Sequence, residues 1–560
     1  MKLLTKLAIS LISITVFFSS MLLAYEPSVG IPMPDWGGGD PIERQAPNRP
    51  DAWPNQVVDN YYYVDVSHAN ATDSNNPFGS PDLPRATIPE GDLQAGAYVE
   101  IHNGPYTGGG RISINSLGTE LAPVWIKGDS LNKALIRGET IITGSYAYIE
   151  NLFFDTSRKT LSLRCLDGAC SDHIVVRNNE FSGPGLADGN TQVLSVAGNG
   201  VNNIIIYNNH IHGFGDISID AAENDYHGIH IGHYADYTWV LNNHIHNNGG
   251  DSIQVGEAGY ADPSDLRRPS HVYIGANNFH DDGENAVDIK GADNIVVSSN
   301  IMYGYGQSTS SDGEVIVIHN NPTNVWVLNN TIHDAVLGVV VTGADNAWII
   351  GNQIYNVHAL NYASWDPTSF YSVGTAIHFR STKNSGAVNN TIYDFDNGIQ
   401  LATGSGYIVR NNIIAYRTRP DGSDITGDYK VLDFSTIDNN ILYHPDGERI
   451  RRSSNQVVGL KEYQDSYGAC ALCSNTNPLF IAYQNLDFKL QNNSPAIDKG
   501  ATTFVFEKIA TLYEVDAKKD LSGEARFQGD KIDIGAFEFG SGQQYFSVPF
   551  APSNIQMDYE

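Results

Sequence analysis

The sequence predicts an all-β solenoid of parallel strands, and three observations carry that expectation. One phrase recurs between residues 174 and 442: an apolar run, then Asn or Asn-Asn, then another apolar pair. It reads IVVRNNEF, IIIYNNHI, WVLNNHI, YIGANNF, IVVSSNI, WVLNNTI, WIIGNQI, AVNNTI, YIVRNNI and STIDNNI. Taking the second Asn as the marker gives Asn179, Asn209, Asn243, Asn278, Asn300, Asn330, Asn352, Asn390, Asn412 and Asn440, with three gaps of 22 residues and the others 28 to 38. A fixed minimum with variable additions fits a structural coil that carries loops of different length. The composition agrees: 54 Gly and 30 Tyr against 17% charged residues suit a chain of strands and turns.

In chain order, residues 1–24 read as a secretory signal, with Lys2 and Lys6, an apolar run from Leu7 to Phe18 and a small residue at Ala24. No later stretch approaches the ~20 apolar residues of a membrane span. The expectation is an exported protein, secreted or periplasmic. Residues 25–96 form a wrapping and capping segment rich in Pro, Gly and Trp, with a strand at 61–66 and a short capping helix within 84–101. Such a cap would cover the open end of a solenoid, where core and strand edge are exposed. The coils run over 97–443, and 444–560 forms the solenoid end and an irregular tail. Cys165/Cys170 and Cys470/Cys473 are spaced as local pairs, and export favours disulfides that staple loops. A metal or redox role for the CxxC pair is the alternative.

The formal charge is -30, and near -32 once Lys2 and Lys6 leave with the signal (-30 less 2). That excludes nucleic acid as a general partner. It also means that basic residues gathered on one face serve a local purpose.

Strand alternation separates inward from outward residues in each coil. The inward pairs are Ile229/Ile231, Ile253/Val255, Val287/Ile289, Ile316/Ile318, Val339/Val341, Ile377/Phe379 and Ile399/Leu401. Between them, one outward column reads His230, Gln254, Asp288, Val317, Val340, His378, Gln400. The next reads Gly232, Gly256, Lys290, His319, Thr342, Arg380. Strands ~4.8 Å apart make Lys290 and His319 neighbours and put Arg380 ~14 Å from Lys290, about three sugar units along a groove. Loops feeding this face add Asp225, His227, Asp251, Asp281, Asp282, Glu284, Asp312 and Glu314. Carboxylates on turns suit Ca²⁺, with Asp251 and Glu284 its expected ligands; the alternative is that Asp and Asn occupy turns for backbone reasons. Zinc through His227 and His230 is disfavoured, because a three-residue separation on a strand points them to opposite faces.

An elongated groove on a rigid solenoid suits a linear polysaccharide, taken up by a monomer. β-Elimination on a uronic acid needs a base for the C5 proton and positive charge on the C6 carboxylate. A lysine whose pKa is depressed can be that base. Lys290 is the expected base, with His319 assisting. His230, Gln254 and Asp288 orient the reacting sugar, and His378 and Arg380 hold a neighbouring one. Hydrolysis would instead need two carboxylates, for which Asp281 and Asp282 are the candidates.

The tail, with PLFIAYQNLDFKLQNNSPAIDKG and DLSGEARFQGDKIDIGAFEFG, resembles the C-terminal segment of many exported bacterial right-handed β-helix proteins. GENAVDIKGADNIVVSSN followed by GEVIVIHNNPTNVWVLNN resembles the alginate lyase and chondroitin B lyase group of parallel β-helix polysaccharide lyases. The resemblance covers about residues 270–335 and implies a right-handed parallel β-helix acting on alginate or a related uronan, with Lys290 in the position of the family's base. His319 stands where that family carries an Arg. Of the family's calcium ligands, an Asn and two Glu, only Glu284 is near, one position out of register. Alginate C5-epimerases share the fold, but their DPH motif is absent. A non-catalytic carbohydrate-binding solenoid, using aromatics such as Tyr303, Tyr305 and Trp365, is the remaining alternative.

Overall fold

Each recurring Asn phrase is a corner. The residue before the marker Asn turns through left-handed backbone, as at Asn208 (φ 53°), Asn242 (φ 55°), Ser299 (φ 59°) and Gly351 (φ 68°). The marker Asn then faces inward and stacks on its counterpart in the next coil. Asn209 donates its backbone N–H and its Nδ2 to Asn243 Oδ1, at 2.9 and 3.0 Å, and Nδ2 also reaches Val176 O at 2.9 Å. The same bonding runs from Asn179 to Asn440. Buried amides are thereby satisfied at every turn, which a buried polar residue requires. One marker differs from the sequence reading. In YIGANNF the ladder residue is Asn277, bonded to Asn243 and Asn300, whereas Asn278 begins the following strand. Ala276 takes the left-handed turn (φ 55°) that an Asn takes elsewhere, which shifts the ladder back by one.

The computed structural model describes residues 25–540 apart from 37–39, 54–55, 130–133, 157–158, 186–190, 218–224, 309–310 and 360–373. The expected signal and Trp365 lie outside the described residues. Within them the chain is a solenoid whose coils contribute parallel strands to three faces. The first face includes Tyr226–Ile231, Ile253–Gly256, Val287–Lys290, Glu314–His319, Leu337–Thr342 and Thr375–Lys383. The second includes Asp236–Leu241, Ser270–Gly275, Asp293–Ser298 and Thr323–Leu328. The third is a 12-stranded sheet from Ala134–Ile136 to Ile441–Tyr443. Inward Ile, Val and Leu fill one continuous core, each contributing about 1.5–3 kcal/mol by leaving water.

Parallel pairing begins before residue 97 and continues after 443: Tyr61–Asp65 pairs with Tyr98–His102, and Ile450 with Ile425. No helix forms over 84–101. Strands Gly91–Gln94 and Tyr98–His102 occupy that segment, because Pro89, Gly91 and Gly96 (φ 76°) interrupt a helical run. Helical capping is found at the other end, where Leu460 and Tyr463 of helix Leu460–Tyr467 join the main core. Both expected disulfides are closed, Cys165–Cys170 and Cys470–Cys473. Among the described residues no helix is long and apolar enough to cross a membrane.

The wrapping segments decide which face stays open. The second face carries an outward column of Tyr98, Trp125, Tyr148, Val175, Ile205, Trp239, Tyr273, Val296, Trp326 and Trp348. Ile31, Trp36 and Ile42 from the N-terminal segment, with Val505, Phe506 and Ile509 from helix Val505–Tyr513, bury it. Phe480, Phe488, Ile534 and Phe537 of the tail cover the C-terminal end of the third face. Asn389, Asn411 and Asn439 tie the tail down by donating to Asp533 O, Ala501 O and Lys499 O. The first face, with the polar columns, is left to form a groove.

Candidate functional site

The register of the first face reproduces the two outward columns. His230, Gln254, Asp288, Val317, Val340, His378 and Gln400 stand in line, as do Gly256, Lys290 and His319, and then Thr342 and Arg380. Of these columns, His230, Gln254, Asp288, Lys290, His319, Thr342 and Arg380 line an open groove of about 1050 Å³.

A third column was not legible by alternation. Each strand enters through a bend at which two consecutive residues point inward: Ala286 with Val287 and Val315 with Ile316 are all in the core. Gly228 occupies the same place before Ile229, where a Cβ would meet Ile245 and Ser252 O at 2.8 Å. The doubled inward step reverses the alternation upstream and turns the preceding residues outward. Backbone bonds from Gly228 to Asp251 O and Ser252 to Asn285 O, each 2.9 Å, align His227, Asp251 and Asn285, and Glu314 lines the groove in the following coil. His227 and His230 therefore line the same groove, three residues apart. The expectation that they diverge fails because strict alternation does not hold through a corner.

At the centre Asp288, only 3% exposed, holds two partners. Its Oδ2 lies 2.6 Å from Lys290 Nζ and its Oδ1 2.9 Å from His319 Nε2. Burial alone would raise the Asp288 pKa, but the bonds from His319 and Lys290 hold it below the ordinary carboxylate value. Burial alone would likewise lower the Lys290 pKa, yet Asp288, then Asp251 and Glu284, outweigh it and hold the ammonium above its ordinary value. The base expected from sequence is a lysine of depressed pKa. The neighbours of Lys290 are anionic, and it is a protonated cation. His230 has the opposite character: burial, with His227 and Lys159 nearby, pushes it down to about 3, so the imidazole is neutral. Gln254 donates to Gly256 O at 3.1 Å, and Gly256 (φ 80°) is needed because a Cβ there would strike Lys290 O at 1.9 Å.

Asp251 does not meet the groove as expected. It is fully buried, its Oδ1 accepts Asn285 N–H and Nδ2–H at 3.2 and 2.8 Å, and its Oδ2 faces His227 Nδ1 at 3.1 Å. Burial would lower the His227 pKa, but Asp251 overcomes it and raises it. Glu284 gathers instead with Asp225 and His227, their ligand atoms all within 4.8 Å of one another. Asp251 Oδ1 is taken by Asn285 and the remaining set includes an imidazole, so these residues as placed are a poor fit for calcium, which takes six to eight oxygens.

Arg380 lines the groove, whereas His378, 1% exposed, lies beneath it with its ring nitrogens 3.3 Å from Arg380 Nε. Burial and then Arg380 push His378 down to about 3, so it positions the guanidinium as a neutral ring. Asp281 and Asp282 do not form a catalytic pair. Asp282 points into the core, where Asn248 N–H donates to its Oδ1 at 2.7 Å, while Asp281 faces solvent and pairs with His280 Nδ1 at 2.8 Å. Sequence reasoning left Gln192, Glu257, Asn285, Gln307, Ser308 and Ser311 unassigned, and all line the groove.

Residues 323–480 match the family described as right handed beta helix region. The fold is a right-handed parallel β-helix. No curated protein matches the chain in sequence. Among solved structures, this β-helix is similar to a mannuronic acid specific polysaccharide family 6 lyase enzyme from human gut microbiota, at 16% identity over 63% of this chain and 81% of that one, with a TM-score of 0.43. It is also similar to the PL6 family alginate lyase AlyGC, at 15% identity over 67% of this chain and 54% of that one, with a TM-score of 0.46. A GH136 lacto-N-biosidase from Eubacterium ramulus aligns at 15% identity over 70% of this chain and 67% of that one, with a TM-score of 0.39. At these identities the likeness concerns the solenoid alone.

Proposed function

We propose that this β-helix is a carbohydrate-active enzyme that acts outside the cytoplasm and cleaves a uronic-acid-containing polysaccharide, alginate or a related uronan, by β-elimination. The observation that carries the reading is Asp288 held between Lys290 Nζ and His319 Nε2 on the groove floor. Asp288 accepts the Nε2–H of His319 and so leaves Nδ1 as the basic nitrogen, in the manner of an oriented imidazole base. His319 takes the C5 proton. The Lys290 ammonium sits against the C6 carboxylate, where its charge stabilises the enolate that develops in the transition state. The C4–O bond then breaks, and the His319 imidazolium returns its proton to the departing glycosidic oxygen. The roles are the reverse of those expected from sequence, because Asp288 keeps Lys290 charged. Arg380, three coils along, pairs with the carboxylate of a neighbouring sugar, and His230 and Gln254 offer hydrogen bonds to the reacting one.

The test is the ultraviolet absorbance of the unsaturated uronate formed when purified protein meets alginate, pectate or chondroitin. A rise that is lost in His319→Ala supports elimination. New reducing ends without that absorbance would overturn it in favour of hydrolysis. In that case Glu314, whose pKa is raised by burial and by Asp312, is the candidate acid.

A further inference from the structure

Away from the groove, the third face carries a second convergent cluster. Strands His210–Phe214, His244–His246 and Asn278–His280 pair in register, so that His210, His244 and Asn278 form one column and His212, His246 and His280 the next. Ile211, Ile245 and Phe279, between them, fill the core and force both flanking residues of each strand outward. Five of the chain's 17 histidines thus stand on one half-buried patch, and none lines the groove.

The rings stack along the solenoid, with centroids 4.9 Å apart for His210 and His244 and 4.7 Å for His246 and His280. Across the columns His210 Nε2 meets His246 Nε2 at 2.8 Å, and His244 Nε2 meets His280 Nε2 at 2.8 Å. Two ring nitrogens approach that closely only with a proton or a cation between them. The outer nitrogens set the tautomers. His246 Nδ1 lies 2.6 Å from Asn247 Oδ1, and His280 Nδ1 lies 2.8 Å from Asp281 Oδ2. Nδ1 of His246 and of His280 is therefore the donor and their Nε2 accepts, so His210 and His244 carry Nε2–H, a proton that moves to Nδ1 when an ion takes its place. Orienting an imidazole through its far nitrogen is how proteins prepare histidine for a metal.

The ligand nitrogens of His210, His244 and His246 all lie within 4.8 Å of one another, and Glu180 with His210 and His212 makes an adjoining group of the same kind. We propose that this patch binds a first-row transition metal ion that prefers imidazole, Zn²⁺ or Ni²⁺, through His210, His244 and His246. Three neutral nitrogens select such ions over Ca²⁺ or Mg²⁺, which take oxygen. Tetrahedral Zn²⁺ with bonds of 2.0–2.1 Å spaces its ligands about 3.3 Å apart, so the His210–His246 contact opens by about half an ångström on binding. Because His210 belongs to one coil and His244 and His246 to the next, the ion would staple two coils and stabilise the folded state.

The experiment uses full-length protein without a polyhistidine tag, stripped with chelator, titrated with Zn²⁺ by calorimetry and with Co²⁺ by visible absorption. The expected result is saturation at one equivalent, tetrahedral Co²⁺ bands and a higher Tm with Zn²⁺. His246→Gln should weaken binding at least tenfold. His333→Gln, farther along the same column between Tyr303 and Tyr355, should leave it unchanged. Should circular dichroism show that His246→Gln misfolds, His210→Gln replaces it. Absence of saturable binding to folded protein overturns the proposal, and so does binding that survives His246→Gln but is lost in His227→Gln.

Discussion

Asp288 Oδ2 lies 2.6 Å from Lys290 Nζ, two residues along the same strand, while Asp288 Oδ1 lies 2.9 Å from His319 in the next coil. One buried carboxylate thus fixes the charge of one functional side chain and the tautomer of the other. Lys290→Arg keeps a cation that does not deprotonate at working pH, whereas Lys290→Ala removes it. If Lys290 acts as a cation, the Arg variant should retain activity within about tenfold of the parent, and the Ala variant should lose far more. Equal loss in both, measured as kcat/KM on the preferred uronan, would return the base role to Lys290.

His319→Ala should reduce kcat by about 10²–10⁴-fold, the range for removing a general base. KM should change little. Asp288→Asn should produce a comparable loss, because it frees the His319 ring and releases Lys290 from its anionic partner. A kcat for Asp288→Asn within twofold of the parent would show that the carboxylate neither orients nor polarises His319.

In the proposed reaction Arg380 binds rather than reacts. Arg380→Ala should raise KM about fivefold, on the order of 1 kcal/mol for one partly exposed charge pair, with kcat nearly unchanged. The increase should vanish for oligosaccharides too short to span three coils. A kcat defect that persists on short substrates would place Arg380 at the reacting bond.

The solenoid and its two outward columns were legible because one period fixes both. Once Ile229, Ile253 and Val287 are aligned, His230, Gln254 and Asp288 follow by alternation. What stayed hidden depends on departures from that period. The doubled inward step at each bend brings His227, Asn285 and Glu314 into the groove and takes Asp251 out of solvent. The charge of Lys290 also depends on distances to Asp288, Asp251 and Glu284 that no spacing supplies. The ladder register at Asn277 is nonetheless written in the sequence. Every ladder Asn stands two residues before an inward apolar residue, such as Ile211 or Phe279, and that interval marks the register better than the Asn pair does.

Asn277 and Asn278 make that register testable. Asn277 donates its side chain to Val240 O and Asn300 Oδ1 and accepts from Asn243, in a buried position. Asn277→Ala breaks the ladder on both sides and should cost about 2–4 kcal/mol, counting the buried groups left unsatisfied. Asn278→Ala, one residue later and outside the ladder, should cost less than about 1 kcal/mol. Denaturant midpoints of the two variants decide it, and equal destabilisation would contradict the assigned register.

His358 supplies a pH dependence outside the groove. Its Nε2 lies 3.2 Å from Asp394 Oδ1 and its Nδ1 3.1 Å from Asp396 Oδ1, so the ring joins one coil to the next. Hydrogen bonds to Asp394 and then Asp396 outweigh burial and raise its pKa to about 9. The unfolded chain returns it to ~6.5. A folded pKa above the unfolded one means the stabilisation is fully present below ~6.5 and is lost as pH rises through 9. The parent protein should therefore lose Tm between pH 6.5 and 9 more steeply than His358→Gln, which lacks the titrating ring. Parallel Tm profiles for the two proteins across that interval would show that His358 stays neutral in its place between Asp394 and Asp396.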